Sequence, residues 1–95
     1  MEELRTLVVQ AQAGSSGAYD RIVERFQDMA VGYAYSILGD FHLAEDAAQE
    51  AFVGAYADLH TLRDPAAFPG WFRRIVFMRC SRLTRRRQIP TTGPA

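Results

Sequence analysis

Lysine is absent from this 95-residue chain, and all eleven cations are arginine. GC-rich codon usage and a functional demand account for this equally, and arginine suits phosphates and base edges better than lysine because its guanidinium presents a planar fork of donors. A single cysteine, Cys80, excludes an intrachain disulfide and sets no demand for an oxidising compartment. Only two histidines occur, His42 and His60, without a companion Cys/His cluster, so no zinc site and no cofactor is expected. No hydrophobic run reaches bilayer length, the longest being Met29–Leu38, and the acids Glu2 and Glu3 oppose a signal peptide. A cytoplasmic protein with no membrane contact is therefore expected. Gly14–Gly17 lacks the preceding strand and following lysine of a phosphate-binding loop. The carboxylates sit at helix-surface spacings without a histidine or metal set to give them chemistry, and Cys80 falls on an apolar arc as a small buried hydrophobe. No catalytic site, and so no enzyme, is expected.

Acids are also missing from the entire C-terminal third. Residues 1–64 hold all eleven acids and four arginines, a net charge of −7, whereas residues 65–95 hold seven arginines and no acid, a net charge of +7. The formal net charge of zero thus conceals a dipole. One acidic face and one arginine-only helix suit two different partners, with nucleic acid the natural one for the basic end.

What remains is helical periodicity with almost no strand signal. Leu4, Leu7, Val8 and Ala11 mark a first helix, and Gly14-Ser15-Ser16-Gly17 ends it and offers a serine cap for the next. Tyr19, Ile22, Val23, Phe26, Ala30, Tyr33 and Ile37 form one face of a second helix, closed by Gly39, with Asp40 as the following cap. A third helix over 43–60 carries an alanine-rich arc (Ala44, Ala48, Ala51, Phe52, Ala55, Leu59) that lets a neighbour approach closely. Its opposite arc holds Asp46, Gln49, Glu50, Val53 and Ala57, with a valine set oddly among acids.

The segment 61–67 reads as a loop punctuated by Asp64-Pro65, and Pro69 fits the first turn of a fourth helix. There Trp71, Phe72, Ile75, Val76, Cys80 and Leu83 cover one broad arc, with Arg79, Arg82 and Arg86 along its edge. Arg73, Arg74 and Arg85 project elsewhere, and Phe68 and Trp71 are the rings expected to face outward. Arginines beside exposed rings are the parts of a single-strand binding surface. The expected fold class is all-α, a compact bundle of about four helices over 1–87, with 88–95 as a flexible tail or the start of a linker.

Two segments resemble region 2 of the bacterial sigma-70 family, most closely its extracytoplasmic-function, or group 4, subfamily. Ala44-Glu45-Asp46-Ala47-Ala48-Gln49-Glu50-Ala51-Phe52 is similar to the helix holding the family's D-x-x-Q-E motif. Phe68-Pro69-Gly70-Trp71-Phe72-Arg73-Arg74-Ile75 is similar to its W-[LF]-x-R-I signature. The resemblance implies that Asp46, Gln49, Glu50 and Val53 dock on the β′ clamp helices of the RNA polymerase core. It implies that the loop and fourth helix meet the promoter −10 element and capture the non-template strand. Arg63, Asp64 and Phe68 would then shape a pocket for an unstacked base. Trp71, Arg74, Arg79, Arg82, Arg85 and Arg86 would make backbone and upstream duplex contacts, with Met78 where the family often carries an asparagine. A thioether lacks the bidentate hydrogen bonding of an amide, which bears on base choice.

The family's helix-turn-helix domain for the −35 element is absent from these residues, and the chain is expected to be a fragment of a longer factor. The competing expectation is a sigma-like interaction module that docks an anti-sigma factor and reads little or no DNA sequence. A third, a basic bundle with non-specific nucleic-acid affinity, gives Gln49 and Glu50 no role.

Overall fold

The computed structural model describes the backbone of residues 3–91 and the side chains of residues 3–85. Four α-helices make up the described residues: α1 (Leu4–Gln12), α2 (Ser16–Leu38), α3 (Phe41–Asp58) and α4 (Phe68–Thr91). Two short 3-10 turns, Leu59–Thr61 and Pro65–Ala67, shape the α3–α4 connection that the sequence pattern gives as a plain loop. The segment 88–95 enters α4, whose backbone is helical through Thr91, and residues 92–95 lie outside the described ones.

The helix ends follow local chemistry. The Ser15 hydroxyl accepts from the Ala18 N–H at 3.1 Å and opens α2. Gly39 closes α2 in the left-handed region at φ 69°, donating to the Tyr35 carbonyl at 2.8 Å. One residue later the Asp40 carboxylate accepts from the Leu43 N–H at 3.0 Å, so α3 begins at Phe41.

The core is a small-residue and aromatic assembly. Ala44, Ala47, Ala48, Ala51 and Ala55 of α3 are fully buried, which brings both α2 and α4 close against that helix. Phe72 is the hub of the rings: it stacks on Phe52 at 4.5 Å and on Phe68 at 5.5 Å and meets the edge of Phe26 at 6.2 Å. Val76, Cys80 and Leu83 continue the buried face of α4. Burial pushes the Cys80 thiol up from its ordinary value, so it stays protonated and packs as a small hydrophobe.

Ile37 departs from the expected face of α2. The inward line at that end steps through Ala30, Ala34 and Leu38, which leaves Ile37 exposed at its edge.

Tyr19 is buried, and its hydroxyl donates to the Phe52 carbonyl. Burial, and after it the neighbouring Tyr56, hold this phenol well above its ordinary value. The unfolded phenol ionises near pH ~10 while the folded one keeps its proton, so the unfolded state binds fewer protons above that pH. Stability is therefore expected to fall as the pH rises above about 10. The loss should be smaller in Tyr19→Phe, by urea unfolding across that range; equal pH dependence in the two proteins would count against the buried phenol as its source.

Candidate functional site

The outer face of α3 carries Glu45, Asp46 and Gln49 in the open, Glu50 half-buried, and Val53 at 68% exposure. The inner face of the same helix is wholly apolar, so its polar residues are held outward by the burial of the alanines opposite them. Asp46, Gln49 and Val53 also border a groove of about 460 Å³ shared with Val23 and Gln27 of α2. The four residues expected to act together on α3 are thus one contiguous surface.

On α4 the helical rotation of about 100° per residue puts Trp71, Arg74, Met78, Arg82 and Arg85 on one arc about 80° wide. The core residues Phe72, Val76, Cys80 and Leu83 lie on the far side of the helix. Arg74, Met78, Arg82 and Arg85 are exposed, and Trp71 is half-buried, tilted against Phe68 at 5.8 Å. Phe77, on the neighbouring strip, is exposed as well, so the arc offers arginines, an indole edge and a phenyl ring together. The side chain of Arg86 lies outside the described residues.

Phe68 is a correction to the outward orientation expected from its place at the head of α4. Its ring is fully buried between Phe26, Trp71 and Phe72, so it belongs to the core and offers no surface to a ligand. Of its neighbours in the loop, Arg63 and Asp64 are both exposed. The Asp64 carboxylate accepts from the Ala66 N–H at 3.0 Å and caps the Pro65–Ala67 turn.

Arg79 also departs from the arc. It turns toward α3 and lies over Gly54, where a β-carbon would collide with its guanidinium. Its Nε is buried without a hydrogen-bond partner. Arg79 and Arg82 line a groove of about 500 Å³ with Asp46, Gln49, Glu50, Val53 and Gly54. Arg79 therefore belongs to the acidic surface rather than to the basic arc, while Arg82 borders both.

Tyr33 lies on the apolar face of α2 by its spacing and is half-buried, yet it also has a polar partner. Its ring lies under the guanidinium of Arg73, at 4.6 Å from Arg73 Cζ to the ring centroid, a cation–π pair joining α2 to α4. Its helical position matches the apolar face of α2, and nothing local signals the cation above it. Among the described residues no group of His, Cys, Asp and Glu is placed to hold a metal ion, and no helix is long and apolar enough to cross a membrane.

The acidic α3 surface and the arginine arc of α4 fall within residues 22–89, which match the family model described as sigma-70 region 2. The chain belongs to the sigma-70 region 2 family. It is 36% identical over 74 residues to the RNA polymerase sigma-H factor of Pseudomonas aeruginosa, covering 78% of this chain and 38% of that protein. It is 33% identical over 72 residues to the ECF RNA polymerase sigma factor SigW of Bacillus subtilis, covering 76% of this chain and 38% of that one. A third similar protein is the probable RNA polymerase sigma factor RfaY of Xanthomonas campestris pv. campestris, 43% identical over 65 residues, 68% of this chain and 16% of the relative. The names that include ECF agree with the subfamily that the motifs resemble. The region 2 domain here spans well under half the length of each of these relatives.

Proposed function

We propose that this region 2 domain serves an RNA polymerase sigma factor by docking on the β′ clamp helices through α3 and engaging the promoter −10 element through α4 and the 59–67 loop. The observation that carries the reading is the pairing of surfaces. An apolar side chain, Val53, stands 68% exposed among Asp46, Gln49 and Glu50 on one helix. An arc of arginines and aromatic edges stands on another. An exposed valine ringed by acids suits a basic partner helix with an apolar contact at its centre. Arginines spaced along α4 neutralise phosphates, while rings at its N-terminal half provide stacking surface for bases leaving the duplex. Strand opening follows if the separated non-template strand binds better than the duplex. The domain contributes binding energy and performs no bond chemistry. Its partners place it in the cytoplasm.

The α4 part of this reading is tested by salt dependence. Arg74→Ala should reduce the log–log slope of single-strand binding against salt by about 0.7, the loss of one phosphate contact. An unchanged slope would take Arg74 off the phosphate path. A second reading draws on Met78, which stands 55% exposed in the middle of the arc. With no amide there, the same helices would serve an anti-sigma protein and discriminate bases poorly. It predicts retained clamp or anti-sigma binding with equal affinity for all single strands.

A further inference from the structure

The α3–α4 connection is held from a distance. Gln12, the last residue of α1, donates from Nε2 to the Leu59 carbonyl at 3.1 Å and to the Leu62 carbonyl at 2.9 Å. Both partners are carbonyl oxygens, so only the amide nitrogen satisfies them, which fixes the orientation of the side chain. The two carbonyls bracket the Leu59–Thr61 turn, and the second belongs to the residue immediately before Arg63. Leu59 and Leu62 are themselves buried, so the turn is pinned by side chains below and by Gln12 at the backbone. The other end of the connection is covered too, because α1 packs against the Pro65–Ala67 turn. α1 is a firm platform for this contact: Leu7, Val8 and Ala11 are buried in the bundle. Yet the whole helix lies outside the matched residues 22–89.

We propose that Gln12 is a positioning residue that fixes the 59–67 segment through its two backbone hydrogen bonds and so sets how selectively Arg63 and Asp64 receive an unstacked base. The inference rests on the promoter reading given above and extends it to a helix the family match does not include. A pocket for an extruded base discriminates better when its walls are held in place, because a loose wall shifts to accommodate the wrong base and narrows the difference in affinity between right and wrong ones. Gln12 holds the backbone of this segment at two carbonyls, beside the buried side chains of Leu59 and Leu62.

Gln12→Glu is the informative variant, since it keeps size and shape but sets a carboxylate oxygen against both carbonyls. Gln12→Lys restores a donor. The probe is a single-stranded dodecamer selected from a random pool on the unaltered domain, together with its singly substituted versions. Gln12→Glu is expected to reduce discrimination among these by about fivefold, the scale of one or two lost hydrogen bonds. The salt slope should not change, amide exchange should accelerate in 59–67 but not in α2 or α3, and Gln12→Lys should recover discrimination. Unchanged exchange in the loop, or faster exchange with discrimination intact, would overturn the inference while leaving the promoter reading standing. A pool that yields no preferred sequence on the unaltered domain would instead overturn the promoter reading, and this inference with it.

Discussion

Phe72→Ala is expected to destabilise the domain by about 3–5 kcal/mol, the usual cost of emptying a buried phenylalanine site. Phe72 is fully buried and touches rings from three other positions, Phe26 on α2, Phe52 on α3 and Phe68 at the head of its own helix. Its removal opens a cavity where three helices meet, and the alanines of α3 have no longer side chain to move into it. A chain of this length has a total stability of about 5–14 kcal/mol, so the loss is a large fraction of the whole. Urea unfolding followed by far-ultraviolet circular dichroism measures it directly. A change below about 1 kcal/mol would mean that the ring cluster does not hold the bundle together.

The second large effect concerns binding. Glu50→Arg is expected to weaken association with the β′ clamp helices by at least about a hundredfold, because it replaces an attraction with a like-charge clash inside the contact. Glu50 is half-buried beside Asp46, Gln49 and Val53, and it borders the groove that also holds Arg79 and Arg82. The reversal therefore adds a third cation to that groove, and the helical content of the variant should be confirmed first. Retained clamp binding by a folded Glu50→Arg protein would remove α3 from the docking surface. Single-strand binding through the α4 arc should persist in the same variant.

Those features whose causes are local were legible in the sequence. Ser15, Gly39 and Asp40 act within three or four residues of themselves, so their capping roles follow from spacing alone. Val53 stood out because helical periodicity set it among acids opposite an alanine arc, and the burial of Ala44, Ala48, Ala51 and Ala55 turns it to the surface. Trp71, Arg74, Met78 and Arg82 similarly share a face fixed by helix geometry once the core side of α4 is known.

What the sequence concealed depends on partners far along the chain. Phe68 reads as an outward ring at a helix start, yet Phe26 from α2 closes over it and turns it into core. Arg79 reads as one of a row of arginines, yet the missing side chain of Gly54 gives its guanidinium a seat on α3. Gln12 reads as an ordinary polar helix end, yet it reaches two carbonyls that lie 47 and 50 residues onward. In each case the decisive group lies in a distant segment of the chain, and no periodic pattern encodes which segment it is.

The most direct test of the two-surface arrangement is a titration of the unaltered domain with a β′ clamp-helix fragment, followed residue by residue through amide chemical shifts. The predicted result is saturable binding with the largest changes at Asp46, Gln49, Glu50 and Val53, and little change along Arg74, Met78 and Arg85. Changes centred on the α4 arc, or no binding by the folded domain, would contradict the assignment of α3 to the polymerase and α4 to the promoter.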